Sequence, residues 1–234
     1  MFRDFIPDQK LTIPLCLIRH DVDRRPRNAL KMAILENKMG IKATYYFRHK
    51  PGVFKPDIIK AVEKLDHEVG YHYENLSDAN GNLTLAIEDF KLKLQDFKKI
   101  VTVKTISMHG RPLKKFDNRD MWNDENNYSL LKNKFELIGE VYKDIDYTDI
   151  AYITDTGRNW HTSKNNIRDT TNSKINIDFR SGEELLNYFK YSPDKKIVFQ
   201  VHPERWDENM LFWAFQLTND IGINRAKRIV RWLK

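Results

Sequence analysis

Four strand-length apolar segments of this chain each run into a residue able to bind a metal or move a proton. Residues 15–19 lead to Asp21 and Asp23, 68–71 to His72, 103–108 to His109 and 197–201 to His202. Between them lie segments of helical spacing. One covers 27–39, with Pro26 at its start and Gly40 at its C-cap position. Another covers 56–65, with Ile58, Ile59, Val62 and Leu65 on one face, and a third covers 83–100, carrying Leu85, Ile87, Phe90, Leu94 and Phe97. Residues 43–47 are rich in strand formers, and 151–154 form a further short strand candidate. This alternation, with no composition break, predicts one α/β domain over 1–234 with a largely parallel sheet. Strand carboxyl ends in such a sheet share one face, where active sites collect. The number of repeats suits a barrel better than a short open sheet.

The connecting regions are less regular. Residues 111–127 read as a polar loop and 129–134 as a helical turn. Residues 155–174 hold many Asn, Thr, Ser and Asp, and read as a long loop of the kind that carries function. A helix over 181–189 has Ser181 as N-cap with Glu184 three residues on, a capping-box pattern. From 208 onward the chain reads as an amphipathic, basic helix, whose default role is to pack on the barrel.

Asp21 and Asp23 lie two apart, so extended backbone puts both carboxylates on one face. Adjacent anions repel, and a divalent cation relieves that repulsion. One acid can then ligate the metal while the other takes a proton. A helix cap is the plainer reading for Asp23, but one cap does not need two acids. His72 supplies the commonest kind of zinc ligand. His109 has Gly110 beside it, which leaves room for a ligand, and His202, before Pro203, suits a proton donor. His20, His49, His67 and His161 are less committed, although His161 sits beside Trp160 in the polar loop.

Composition narrows the alternatives. Hydrophobic residues make up 41% and charged residues 31%, ordinary for a globular chain. No run approaches the roughly 18 apolar residues that a membrane helix needs. The first residues carry no apolar stretch followed by a small-residue cleavage site, which gives a cytoplasmic expectation. The single Cys16 cannot form an internal disulfide and sits in an apolar strand as a small hydrophobe. The net charge of +7 is spread over isolated pairs such as Arg24-Arg25 and Lys114-Lys115. It is compatible with an anionic glycan or lipid-linked substrate. With no nucleic-acid motif in view, nucleic acid is not expected as a partner.

Several blocks, taken in order, resemble the polysaccharide deacetylase family, also called the NodB-homology or carbohydrate esterase family 4 group. Ile18-Arg19-His20-Asp21-Val22-Asp23 is similar to the family's first motif, an apolar strand ending in two acids. His67-Glu68-Val69-Gly70-Tyr71-His72 resembles the block leading into its first metal histidine. His109-Gly110-Arg111-Pro112 lies where the family has an Arg-Pro element lining the cleft, and Phe199-Gln200-Val201-His202 resembles its last motif. The resemblance implies a distorted, incomplete (β/α) barrel, a divalent metal, usually zinc, and hydrolysis of an acetyl group from an amino sugar of a surface polysaccharide or its precursor. By the same resemblance Asp21 would be the base, Asp23 and His72 metal ligands, His202 the general acid, and Arg111 a support for the base or part of the cleft wall.

Two departures bear on these roles. Val22 separates the two acids that the family usually places side by side, which leaves open which of them is the base. The family's second metal histidine falls four residues after the first, where this chain has Leu76; His109 is the substitute, with Glu74 as its rival. In the loop Asp155-Thr156-Gly157-Arg158-Asn159-Trp160, the residues Asp155, Arg158 and Trp160 suit sugar binding, as does Trp206, although either indole could instead plug the barrel end. Three rival functions remain: a catalytically inactive relative that binds glycan, a metal-dependent amidohydrolase acting on a non-polymeric C–N bond, and a polyanion-binding module. Oligomeric state has no signature in the sequence.

Overall fold

The computed structural model of the chain describes residues 1–9, 15–158, 160–161, 167–192 and 196–232, with the backbone alone for His161 and 226–232. In chain order the elements are α1 (Phe2–Phe5), β1 (Leu15–Val22), α2 (Pro26–Lys38), β2 (Thr44–Phe47), α3 (Pro56–Lys64), β3 (Glu68–Tyr73), α4 (Asn75–Asp78), α5 (Leu83–Lys98) and β4 (Val103–Met108). There follow α6 (Glu125–Phe135), β5 (Gly139–Glu140), β6 (Ala151–Thr154), β7 (Trp160–His161), β8 (Asp178–Phe179), α7 (Gly182–Tyr191), β9 (Lys196–Val201) and α8 (Met210–Trp232).

The described strands form one sheet in the order β5-β4-β3-β2-β1-β9-β6-β7-β8. The seven from β5 to β6 are parallel, and β7 and β8 add an antiparallel edge. With helices packed along it, the parallel part curls into an incomplete (β/α) barrel, as the sequence led one to expect.

Register decides which side chains meet. Across β1 and β9, Arg19 is opposite Gln200 and His20 opposite Val201, which brings Asp21 to the height of His202. Across β3 and β4, His72 is opposite Ser107 and Tyr73 opposite Met108, which sets Glu74 beside His109. Gly70 on β3 is required by packing, because a Cβ there would strike the Tyr46 ring and come within 2.7 Å of the Thr105 carbonyl.

The amino end of the barrel is closed. Phe2 and Phe5 of α1 are buried, and their helix is tied to the first residues of β2 and β3. The Phe2 amide donates to Thr44 Oγ1 at 3.3 Å and the Arg3 amide to Glu68 Oε2 at 3.0 Å. Among the described residues the cleft opens at the carboxyl end.

Several boundaries differ from the sequence reading. Both β1 and β3 run longer, so Asp21 and His72 lie within strand ends rather than after them. The expected loop 111–127 contains a short 3-10 turn at 118–122 and the start of α6. That helix begins at Glu125 because Asp124 caps it, accepting from the amides of Asn126 and Asn127. Ser181 caps α7 by accepting from the Glu184 amide, as expected. Among the described residues no helix is long and apolar enough to cross a membrane.

Candidate metal and catalytic site

A cleft of about 390 Å³ opens at the carboxyl end of the parallel strands. Asp21, Asp23, His72, His109, Arg111 and His202 all line it. Strands β1, β3, β4 and β9 thus deliver to one place the residues that the sequence set far apart.

Ligand atoms of Asp23, His72 and His109 lie within 4.8 Å of one another. His72 Nε2 is 3.4 Å from Asp23 Oδ1, and His109 Nε2 is 3.3 Å from Asp23 Oδ2. Both rings are oriented from behind. His72 donates from Nδ1 to the Ser107 carbonyl at 3.0 Å, and His109 donates from Nδ1 to Glu74 Oε2 at 3.0 Å. These bonds hold a proton on each Nδ1 and aim each Nε2 at Asp23, the arrangement metal-binding histidines use.

Asp23 Oδ1 is buried with no hydrogen-bond partner. Such an orphan is costly unless something fills the gap, and two imidazole nitrogens with a carboxylate oxygen suit a divalent metal such as zinc. The residues present therefore fit the group. Burial opposes the charge on Asp23, but His109 and His72 outweigh it and hold the carboxyl well below its usual range. His109 is pushed up to about 9, because Asp23 and Glu74 overcome the cost of burying its proton.

Glu74 stands behind His109 rather than among the converging atoms. Its oxygens accept from Arg48 at 2.7 and 2.9 Å, from Arg111 at 2.6 Å and from His109 at 3.0 Å. Burial works against that carboxylate, and the hydrogen bond and charge of His109, together with Arg48 and Arg111, lower its pKa strongly. Among the described residues, Glu74 belongs neither to the cleft lining nor to the group of converging ligand atoms. Arg111 lines the cleft, one of the two places expected for it. Its guanidinium reaches Glu74 and Asp78.

The cation that supports Asp21 is Arg19, two residues back on the same strand face. Its Nε and Nη2 donate to the two Asp21 oxygens, each at 2.7 Å, and the Gln200 amide donates to Oδ2. The guanidinium lies over the Tyr142 ring at 4.7 Å. Burial raises the Asp21 pKa, but Arg19, His72 and His202 together hold it below its ordinary value. The signal for Arg19 was present in the sequence, since 19, 21 and 23 share a face at strand spacing. Gln200 had no such local signal, because it meets Asp21 only through the β1–β9 register.

His202 is held by Asp155. The imidazole donates from Nδ1 to Asp155 Oδ1 at 2.5 Å, and the His202 amide donates to Oδ2 at 3.0 Å. Arg205 donates to the Asp155 carboxylate and its carbonyl. Burial and Arg205 both disfavour the imidazolium, yet Asp155 outweighs them and pushes His202 up to about 9. Asp155, expected to bind sugar, thus serves the histidine. Glu204 is buried nearby with Oε2 unpartnered, and burial followed by the Asp23 charge pushes it up to about 7.

The remaining substrate expectations land elsewhere. Arg158 donates to Asp220 of α8 at 2.9 Å, since an acid is at hand in a low-dielectric setting. Trp160 stacks on Phe199 at 5.2 Å, plugging a side cluster, and its ring is 5.8 Å from that of Trp206. Trp206 is half exposed, its indole N–H donating to Asp155 at 3.4 Å. Asn159 and the side chain of His161 lie outside the described residues. The space beside Gly110 is taken by Asp169, whose carboxylate would stand 3.0 Å from a Cβ there. His20, His49 and His67 are structural: His20 meets Glu36 at 2.7 Å, His49 meets Asp96 at 3.2 Å and stacks on Phe54, and His67 Nε2 bonds the Ala33 carbonyl.

No family model matches the chain, and no curated protein does. Solved structures do. The catalytic domain of peptidoglycan N-acetylglucosamine deacetylase from Eubacterium rectale is similar over 93% of this chain and 86% of that one, at 12% identity and a TM-score of 0.51. The family 4 carbohydrate esterase from Streptomyces lividans matches over 90% of each chain at 11% identity, with a TM-score of 0.47. A family 4 pseudoenzyme from Bacillus anthracis matches over 92% of this chain and 62% of its own, at 13% identity and 0.45. Identities this low speak to architecture, and the architecture is that of the polysaccharide deacetylases.

Proposed function

We propose that this chain is a single-domain, metal-dependent hydrolase that removes an acetyl group from an amino sugar of a glycan or glycan precursor. The observation that carries this reading is the meeting of Asp23, His72 and His109 in one cleft with the Asp155-backed His202.

Asp23, His72 and His109 would hold the metal, which when bound supplies Lewis acidity toward a water and an acyl carbonyl. Asp21 is kept ionised by Arg19, and accepts a proton from the water as its oxygen adds to the acyl carbon. His202 is kept protonated by Asp155, and delivers its proton to the sugar nitrogen as the C–N bond breaks. Acetate and a free amino sugar are the products. Arg48 and Arg111 hold Glu74, and through it the His109 ring, against movement during the reaction.

The test is Asp21→Asn beside wild type, measuring metal content and deacetylation of N-acetylglucosamine oligomers. Lost turnover with about one metal per chain retained supports the assignment. Equal loss of both moves Asp21 to the metal. A wild type that takes up no zinc ends the hydrolase reading.

A further inference from the structure

The cleft wall carries more positive charge than its carboxylates neutralise. Its acids are engaged: Asp21 with Arg19, Asp220 with Arg158 and Arg205, and Asp23 with His72 and His109. Asp169 lies against Gly110 and accepts from Tyr142 at 3.5 Å. Behind the wall the cations outnumber the acids. Glu74 is shared by Arg48, Lys50 and Arg111, and Asp78 by Lys50, Lys93 and Arg111. Asp117 is shared by Arg119 and Arg168, and the Arg168 guanidinium also donates to the Lys114 and Lys115 carbonyls.

Two further cations stand on the wall without any such neutralisation. Arg24 follows Asp23 directly, and Lys114 lies five residues after His109. Both side chains are exposed, and among the described residues neither meets a carboxylate. One follows β1 and the other follows β4, with β2 and β3 between those strands, so positive charge borders the cleft at both ends. Cations of one sign around a concave site raise the local concentration of anions. Guanidinium and ammonium groups with free donors bind phosphate and carboxylate oxygens through charge-assisted hydrogen bonds. A divalent metal on Asp23, His72 and His109 adds to the same field. The volume of about 390 Å³ suits a small ligand.

We propose that the sugar accepted by this cleft is anionic: an acetylated amino sugar that bears, on itself or on the adjoining unit, a phosphate or a carboxylate held by Arg24 and Lys114. That the sugar is acetylated rests on the deacetylase reading; the preference for an anion does not, and is measured separately.

Calorimetric titration of the full, zinc-supplied chain compares N-acetylglucosamine with its 1-phosphate. It also compares the neutral N-acetylglucosamine tetramer with a tetramer in which N-acetylglucosamine alternates with glucuronic acid. The anionic member of at least one pair should bind about tenfold tighter or more at low salt, with a margin that shrinks as salt rises. The pair that shows the margin names the anion. Arg24→Gln/Lys114→Gln alters two exposed side chains, so its melting temperature should match wild type while the affinity ratio falls to about one. Deacetylation of the same ligands is followed in parallel, and kcat/KM should show the same ratio. No turnover of any ligand ends the deacetylase reading and leaves the affinity ratios to decide the anion preference. Equal affinity for charged and neutral ligands, or no binding of either anionic ligand, overturns the proposal. A preference that the double variant keeps also overturns it, and would assign the anion to the metal or to other cations.

Discussion

Glu74 and His109 are joined by a hydrogen bond of 3.0 Å, and the far nitrogen of the same imidazole lies 3.3 Å from Asp23. The glutamate therefore aims the ring and fixes its tautomer without being among the atoms that converge. Groups in that position typically account for ~10–100-fold in metal affinity. Glu74→Gln should weaken zinc binding by about that factor, whereas His109→Ala should lower zinc stoichiometry itself. Calorimetric zinc titration separates the two, and equal loss of stoichiometry in both variants would make Glu74 a ligand.

The Asp155–His202 pair sets a pH dependence. His202 is raised from 6.5 to about 9 in the folded chain, so the pair's contribution to stability is complete below pH 6.5 and is lost as pH rises through about 9. If His202 is the acid of the reaction, the rate should hold through neutral pH and fall near 9. Asp155→Asn removes the charge that raises it, and the falling limb should then move down toward 6.5 or below. A pH–rate profile in which the limb stays put in Asp155→Asn would exclude His202 as the titrating group.

The parts of the site legible in sequence are those governed by local rules. The two-residue spacing of Asp21 and Asp23, and the histidines at strand ends, are properties of single strands. What was hidden depends on pairing between strands or on long returns of the chain. Asp155 reaches His202 across 47 residues, and Glu74 meets His109 only through the β3–β4 register. In the polar loop Asp155, Arg158 and Trp160 have partners inside the protein, which their residue types cannot reveal. The start of α6 was lost for a different reason: Asp124 lies in the polar stretch 111–127 that reads as loop, but the acid acts as a cap.

Trp160 gives a direct test between packing and sugar binding. Its ring packs on Phe199 and Trp206 among the side cluster of Ile153, Leu185 and Ile197. Trp160→Ala should cost about 2–3 kcal/mol of stability, somewhat below the ~3–5 kcal/mol of a fully buried indole, because the ring is partly exposed. KM for glycan substrates should stay within about twofold, since an indole in a packing cluster contributes little to substrate binding. Chemical denaturation and steady-state kinetics on one preparation decide between a packing residue and a sugar platform.

Arg19 and Asp21 pose the sharpest energetic question. Both are almost wholly buried, and the guanidinium binds both carboxylate oxygens. Removing one partner of such a pair typically costs ~3–5 kcal/mol, because the other is left charged and uncompensated. Arg19→Met should therefore destabilise strongly and raise the Asp21 pKa, whereas adding Asp21→Asn should restore much of the loss. The double variant would then be more stable than Arg19→Met alone, a coupling that a denaturation cycle reads directly. The pH dependence has a definite sign. Asp21 is held below its ordinary 3.8, so its contribution is complete above that pH and disappears on acidification. Wild type should accordingly lose more stability than the double variant as pH falls through that range. Additive single-site effects would mean that Arg19 stabilises the barrel through Tyr142 and Tyr46 rather than through the carboxylate.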